Sequence, residues 1–245
     1  MFNYQLIMPQ QWVIPDTHGY LKTLRALLEE QIRPSKFDEL YFLGDFIDRG
    51  PDSKGLIDYL IQLKDNGYQL RFLKGNHEEW CIKAYEEELQ LKKNILGLKK
   101  PNLPKAEWMR YGGKETLKSF KVNNLRHFPV EYIQWMQQLE YYIELKEYYL
   151  VHAGFNFETD SIFDDKYSML WIRDFKVDPD KINHKTIIHG HVPVSHEFID
   201  FTIRKGIYPF IPLDNGVYIK KKGFGNLTAF EIKQRTLLVQ PSLDD

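Results

Sequence analysis

Five short stretches of this chain carry side chains that can hold a metal or move a proton, each beside a glycine. They are Asp16-Thr17-His18-Gly19, Gly44-Asp45-Phe46-Ile47-Asp48-Arg49-Gly50, Gly75-Asn76-His77-Glu78, His152-Ala153-Gly154 and His189-Gly190-His191. Carboxylates, an amide oxygen and several imidazoles form a mixed oxygen and nitrogen donor set, the hard-to-borderline chemistry of manganese, iron or zinc. One carboxylate can use both oxygens to bridge two cations. Two ions about 3.5–4 Å apart polarise a phosphoryl oxygen and generate a hydroxide between them. Taken singly, these residues have plainer readings. Asp45 or Asp48 could be a helix cap or turn residue, Asn76 a turn partner of Gly75, and one histidine a hydrogen-bonded core residue. The case for a shared site rests on five turns carrying such residues in one chain.

Each stretch follows an apolar run. Trp12-Val13-Ile14, Leu40 to Leu43 and Leu70 to Leu73 read as short buried strands. Between them, Leu21, Leu24, Leu28 and Ile32 recur at helical spacing. Pro51-Asp52-Ser53 starts a second helix bearing Leu56, Ile57, Leu60, Ile61 and Leu63, and Asn66-Gly67 closes it. Strand, helix, strand, helix, strand predicts a parallel βαβαβ unit, in which sites form outside the carboxyl ends of the strands. Residues 79–149 read as a mostly helical insertion. Its first helix, 84–100, has acids early (Glu86, Glu87, Glu88) and bases late (Lys92, Lys93, Lys99, Lys100), as a helix dipole favours. Trp108 to Phe120 and Glu131 to Leu139 follow. Strands return at Tyr148 to Val151, Thr186 to Ile188, Tyr208 to Leu213, Gly216 to Ile219 and Leu227 to Ile232. The expected fold is α/β, a layered β-sandwich flanked by helices, in one domain over residues 1–245.

Composition narrows the class. The chain has 245 residues, 43% hydrophobic and 27% charged, which is ordinary for a globular protein. A net charge of -1 gives no bulk electrostatic case for nucleic acid or an anionic membrane, so neither is an expected partner. Cys81, the single cysteine, can form no internal disulfide, which fits a reducing compartment. Met1 to Pro9 lacks the basic flank and apolar core of a signal peptide, and no window approaches 18 apolar residues. A cytoplasmic protein is expected. The aromatic group Trp135, Tyr141, Tyr142, Tyr148 and Tyr149 reads as core packing. Tyr208 to Pro212 reads either as a pocket wall or as a strand edge blunted by prolines.

In order and spacing, Asp-x-His-Gly, Gly-Asp-x-x-Asp-Arg-Gly, Gly-Asn-His-Glu, His-Ala-Gly and a late Gly-His resemble the motif series of the calcineurin-like metallophosphoesterases. More narrowly, they resemble the bacterial and phage serine/threonine phosphatases of the phosphoprotein phosphatase family. The resemblance runs from residue 16 to 191, with further matches at Trp108, Gly112-Gly113, Thr116-Leu117, Trp171-Ile172-Arg173 and Asp214-Asn215-Gly216. It implies a metallophosphoesterase-type sandwich holding two divalent metal ions, manganese by family habit, with iron, zinc or nickel as other occupants. By position, Asp16 and His18 would ligate the first ion, Asp45 would bridge, and Asn76, His152 and His191 would ligate the second. Arg49 and Arg173 would grip the substrate phosphate through their planar forks. His77, oriented by Asp48, would protonate the leaving oxygen, and Glu78 would support the shell. Two dications, two ligand aspartates and a hydroxide sum to about +1, and the arginines raise this to about +3, a setting for a phosphomonoester dianion.

The implied substrate is a phosphorylated one, a phosphoprotein or a small phosphoester. The implied reaction is in-line attack by the metal-bridging hydroxide. Departures from the pattern are Pro15 before the first Asp, His189 where an apolar or aromatic residue is usual, and Asn215 in place of Thr. His189 is expected to support the fold rather than ligate, because His191 holds the Gly-His position. Pro193 stands where nuclease relatives carry a further histidine, which favours the phosphatase branch. Three functions are weighed. The first is a metal-dependent phosphomonoesterase of the serine/threonine protein phosphatase kind, and the second a symmetrical dinucleoside tetraphosphate hydrolase. The third is a non-catalytic scaffold, which would be expected to have lost ligands that this chain keeps.

Overall fold

The computed structural model of the protein describes residues 9–91 and 101–244. Strand β1 (Gln11–Ile14) stops at Pro15, which cannot donate to a ladder. Helix α1 (Leu21–Ala26) continues into a π-helical turn, Leu27–Ile32, that ends where Arg33 turns left-handed at φ 50°. After β2 (Glu39–Phe42), helix α2 (Ser53–Asp65) is capped by Asp52, whose side chain accepts from the Gly55 N–H. Strand β3 (Gln69–Phe72) leads directly into α3 (Asn76–Gln90). Then come α4 (Leu103–Arg110), α5 (Gly113–Ser119) and α6 (Val130–Gln137). The second half holds β4 (Tyr142–Glu144), β5 (Tyr148–Val151), α7 (Lys166–Trp171), β6 (Thr186–His189), α8 (His196–Lys205), β7 (Phe210–Pro212), β8 (Asn226–Glu231) and β9 (Thr236–Pro241).

These strands build a five-stranded sheet, β3-β2-β1-β8-β9, and a four-stranded sheet, β4-β5-β6-β7. β1, β2 and β3 pair in parallel, as do β5, β6 and β7, while β8, β9 and β4 run antiparallel to their neighbours. Side chains alternate across each strand; β1, β2, β5, β6 and β8 are covered on both sides and read as nearly unbroken apolar runs, whereas β3 leaves Gln69 and Arg71 exposed. Val13, Tyr41 and Leu43 share one buried cluster with Leu150, Ile188 and Ile211, which cements the two sheets. Trp12, Ile14, Leu40 and Phe42 point the other way, against Leu24, Leu56 and Leu60 of the helices. On the far side of the second sheet, Tyr149, Val151 and Ile187 pack with Phe155 and Met169. Helix, sheet, sheet and flanking segment form the expected layered α/β sandwich.

The segment between β3 and β4 contributes Cys81, Ile82, Trp108, Phe128 and Met136 to the same core as the first sheet. Trp135 packs edge-on against Phe46, and Tyr142 and Tyr149 make edge-on and tilted contacts with Phe155 and Phe163, so those aromatics are packing residues.

Several element boundaries differ from expectation. Gly216 to Ile219 is a turn rather than a strand: Gly216 sits at φ 62°, and the Ile219 N–H donates to its carbonyl at 2.8 Å. Strands β4 and β9 were not anticipated, because β4 has only three residues and β9 is partly exposed at a sheet edge. The helix expected from residue 84 begins at Asn76, and Trp108 to Phe120 is broken at Gly112, φ 116°. Tyr208 to Leu213 shortens to β7, an edge strand, where proline is tolerated. Met1 to Met8 and the bases Lys92, Lys93, Lys99 and Lys100 lie outside the described residues. No described helix is long and apolar enough to cross a membrane.

Candidate active site

The carboxyl ends of β1, β2, β3, β5 and β6 converge, and the five turns that leave them are laced together. The Thr17 and His18 N–H groups donate to the Asp45 carbonyl at 3.2 and 2.7 Å, Gly19 donates to Phe46 at 2.9 Å, and Gly190 donates to His152 at 2.8 Å. Glu78 is fully buried and joins the second turn to the third. Its carboxylate accepts from the N–H groups of Asp45 (2.9 Å), Phe46 (2.8 Å), Ile47 (3.3 Å) and Gly75 (2.9 Å). His18, Asp45, Asp48, Arg49 and His191 all hold positive φ, between 46° and 71°. Such conformations cost about 1–3 kcal/mol each and concentrate where the surroundings over-determine them. Two glycines are needed for close approach: a Cβ on Gly75 would lie 2.0 Å from Asp45 Oδ1, and one on Gly190 2.1 Å from Asp16 Oδ1.

The donor atoms gather around Asp45. His18 Nδ1 lies 3.0 Å from the Ile47 carbonyl and His152 Nδ1 lies 2.9 Å from the Leu43 carbonyl, so each of these nitrogens carries the proton. Their Nε2 atoms therefore present lone pairs, at 3.7 and 3.6 Å from the same carboxylate oxygen, Asp45 Oδ2. Neither imidazole offers a proton to that carboxyl group, an arrangement that suits a cation between them. Asn76 Oδ1 lies 3.0 Å from His152 Nε2 and 2.9 Å from His191 Nδ1. His191 Nε2 is buried with no hydrogen-bond partner among the described residues. His18, Asp45 and His77 on one side, and Asp45, His152 and His191 on the other, each bring ligand atoms within 4.8 Å of one another. Asp16 sits next to them rather than in them, both its oxygens accepting the His191 N–H at 3.1 Å.

Burial pushes the Asp16 and Asp45 carboxyls well above the usual range, with Asp214 adding repulsion at Asp16 and Asp16 at Asp45. It pushes His18 and His152 well below theirs, and His191 down to about 4. The imidazoles are thus neutral, with lone pairs free, and the carboxylates lack positive charge. Divalent ions supply that charge, and the nitrogen and oxygen donors suit borderline metals, so the residues present fit a metal centre.

Beside this cluster stands a proton-handling pair. His77 Nδ1 lies 2.6 Å from Asp48 Oδ2, and burial lowers the His77 imidazole well below its ordinary value. Arg49 Nη2 lies 3.2 Å from His77 Nε2, and the guanidinium covers the Tyr218 ring at 4.0 Å. These groups open onto a cavity of about 300 Å³ shared with Arg173. Its other wall is aromatic: Trp80 stacks on Tyr111 at 4.5 Å and meets Trp171 edge-on at 4.6 Å.

All ten anticipated site residues thus border one cluster or its cavity. His189 does not join them; its ring packs against Phe175 and Phe210, and Nδ1 contacts the Gly190 carbonyl at 3.1 Å. Sequence reasoning missed Tyr218, which it placed on a strand, and the aromatic wall. It also gave Asp214 no role, though this buried acid, pushed up to about 6 by burial, lies beside Asp16. Asn215 is explained: Nδ2 donates to the Val194 and Gly223 carbonyls and Oδ1 accepts from the Asn226 N–H, pinning the loop after β7.

The sequence matches the calcineurin-like phosphoesterase family over residues 11–219. Over 67 residues it is 39% identical to the symmetrical bis(5'-nucleosyl)-tetraphosphatase of Buchnera aphidicola subsp. Acyrthosiphon pisum, covering 27% of this chain and 23% of that protein. Over 75 residues it is 36% identical to serine/threonine-protein phosphatase 2 of Escherichia coli, covering 31% of this chain and 32% of that one. The chain thus spans about a quarter to a third of the length of these curated relatives. Among solved structures, a protein serine/threonine phosphatase from Saccharomyces cerevisiae superposes with a TM-score of 0.62 at 16% identity. That match covers 99% of this chain and 83% of that chain, a likeness of fold.

Proposed function

The chain belongs to the calcineurin-like phosphoesterase family, and we propose that it is a metal-dependent phosphomonoesterase of the serine/threonine protein phosphatase kind. The observation that carries this reading is the ring of imidazole lone pairs around Asp45, set in one cavity with two arginines and a His–Asp pair. Asp16, His18 and Asp45 would hold one divalent ion, and Asp45, Asn76, His152 and His191 the other, with manganese the proposed occupant. When bound, such ions polarise the phosphoryl group and acidify a water towards hydroxide.

The chain's own residues handle orientation and the proton. Arg49 and Arg173 border the cavity and offer forked donors to the phosphate oxygens. Arg49 occupies His77 Nε2, so binding phosphate must draw the guanidinium away before that nitrogen can act. A proton on Nε2 makes an imidazolium in a buried place. The Asp48 carboxylate behind it and the phosphate dianion ahead offset its charge, and the proton then passes to the leaving alkoxide. Phe46 and Glu78 touch no substrate; they hold the turn.

A second reading, a symmetrical dinucleoside tetraphosphate hydrolase, is favoured by the aromatic wall of Trp80, Tyr111 and Trp171, since such rings can stack a nucleobase. A non-catalytic scaffold fits less well, because the full donor set, both arginines and His77 are retained. The deciding experiment is paired turnover by manganese-loaded protein on a phosphoserine peptide and on diadenosine tetraphosphate. Faster peptide hydrolysis supports the proposal. Preference for the dinucleotide, with symmetrical products, transfers the same residue roles to the second reading.

A further inference from the structure

Asp48 and Arg49 hold consecutive left-handed conformations, φ 71° and 69°, although neither is glycine. Such backbone persists only where neighbouring structure over-determines it. Here one distant segment, residues 108–116, grips both residues. The Asp48 N–H donates to Thr116 Oγ1 at 2.8 Å, and the Arg49 N–H donates to the Gly112 carbonyl at 3.4 Å. The Asp48 carboxylate in turn accepts from the Thr116 hydroxyl at 2.5 Å and from the Trp108 indole N–H at 2.7 Å. A carboxylate can only accept, so the Thr116 proton lies on its 2.5 Å contact with Asp48 Oδ1; Ser53 Oγ, 3.2 Å from Thr116 Oγ1, accepts the Asp48 N–H as well, at 3.1 Å. Asp48, Trp108 and Thr116 are fully buried.

The two glycines of this segment are what let it close. A Cβ on Gly112 would sit 2.5 Å from the Arg49 nitrogen, and one on Gly113 2.6 Å from the Trp108 ring. Packing alone would be met by any apolar residue of similar size at 108 or 116. Two side-chain donors aimed at one buried carboxylate have a different consequence. Asp48 Oδ2 is shared between the Trp108 N–H at 2.7 Å and His77 Nδ1 at 2.6 Å, while Oδ1 is tied to Thr116. The carboxylate can neither rotate nor slide off the imidazole.

We propose that Trp108 and Thr116 are positioning residues for proton donation by His77: they lock the Asp48 carboxylate beneath the imidazole and so aim His77 Nε2 at the leaving oxygen. The inference rests on reading His77 as the general acid. It makes Trp108 and Thr116, which do not line the cavity, part of the reaction machinery.

The test uses the full-length, manganese-loaded protein and three variants, Trp108→Phe, Thr116→Val and Thr116→Ser, with His77→Ala alongside. kcat and KM are measured on a phosphoserine peptide, whose alkoxide needs a proton to leave, and on p-nitrophenyl phosphate, whose phenolate does not. Trp108→Phe and Thr116→Val should each lower peptide kcat about 10–100-fold, with KM and metal content held, as small misplacements of a catalytic group do. The loss on p-nitrophenyl phosphate should be several-fold smaller. Thr116→Ser, which keeps the hydroxyl, should restore peptide turnover. If His77→Ala discriminates between the substrates but the Trp108 and Thr116 variants slow both equally, or slow neither, the positioning role is overturned. If His77→Ala itself fails to discriminate, the acid reading falls and this inference with it. Thermal unfolding of each variant separates loss of fold from loss of aim, and Trp108→Phe serves if Thr116→Val does not fold.

Discussion

Replacing Glu78 with glutamine removes a charge and a proton acceptor while keeping side-chain shape, at the point where two site-bearing turns are joined. Glu78 Oε1 accepts from Phe46 and Ile47, and Oε2 from Asp45 and Gly75. Burial raises its carboxyl, and these same four N–H groups pull it back towards the charged form. Glutamine keeps one oxygen, so whichever way its amide turns, two buried N–H groups confront an NH₂. Unpaired buried donors cost about 1–3 kcal/mol each, which sums to about 4 kcal/mol. That is a large part of the 5–15 kcal/mol that typically separates folded from unfolded chains. Relief would come by shifting the Asp45 backbone, so metal affinity should also fall, by about 10–100-fold, as when an outer partner of a ligand is lost. The assay is urea unfolding followed by tryptophan fluorescence, with and without manganese, together with a manganese titration. A Glu78→Gln variant within about 1 kcal/mol of the parent and with unchanged metal affinity would refute the claim that these four bonds hold the turns.

Other perturbations reach different parts of the account. Asp45→Asn should abolish metal-dependent turnover and lower bound manganese while circular dichroism stays native; a variant with parental turnover would sink the dimetal assignment. Arg173→Ala should raise KM for a phosphoserine peptide by about 10–100-fold, the worth of a charge-assisted phosphate contact, and steady-state kinetics would show it. Gly190→Ala would place a methyl 2.1 Å from Asp16 Oδ1, so it should weaken manganese binding measured by calorimetry. An unaltered affinity would mean that Asp16 is not a ligand.

The site was legible in the sequence because its residues sit at the ends of apolar runs, where strand chemistry leaves them no choice of place. Asp16 follows β1, Asp45 follows β2, Asn76 follows β3, and the histidines follow β5 and β6. What escaped was whatever depends on distant partners. Gly216 to Ile219 reads as a strand because Val217, Tyr218 and Ile219 are β-formers, but Gly216 is turned left-handed and its N–H is taken by the Asp214 side chain at 2.7 Å, so Tyr218 swings under Arg49 instead of joining a ladder. Trp108 and Thr116 stood out only as matches to a motif; that they grip Asp48 depends on a fold-back of 60 and 68 residues, which no local pattern encodes. Strand β9 has a short apolar run, Leu237-Leu238-Val239, only half-buried at the sheet edge and ended by Pro241, and its place is set by its pairing with β8.

The most direct test of the central claim is to strip the protein of metal and titrate manganese back while following both bound metal and hydrolysis of a phosphoserine peptide. The account predicts no turnover in chelator, two ions bound per chain, and activity that rises as the second site fills. Peptide hydrolysis at full rate in the presence of chelator, or full activity with Asp45→Asn, would contradict it.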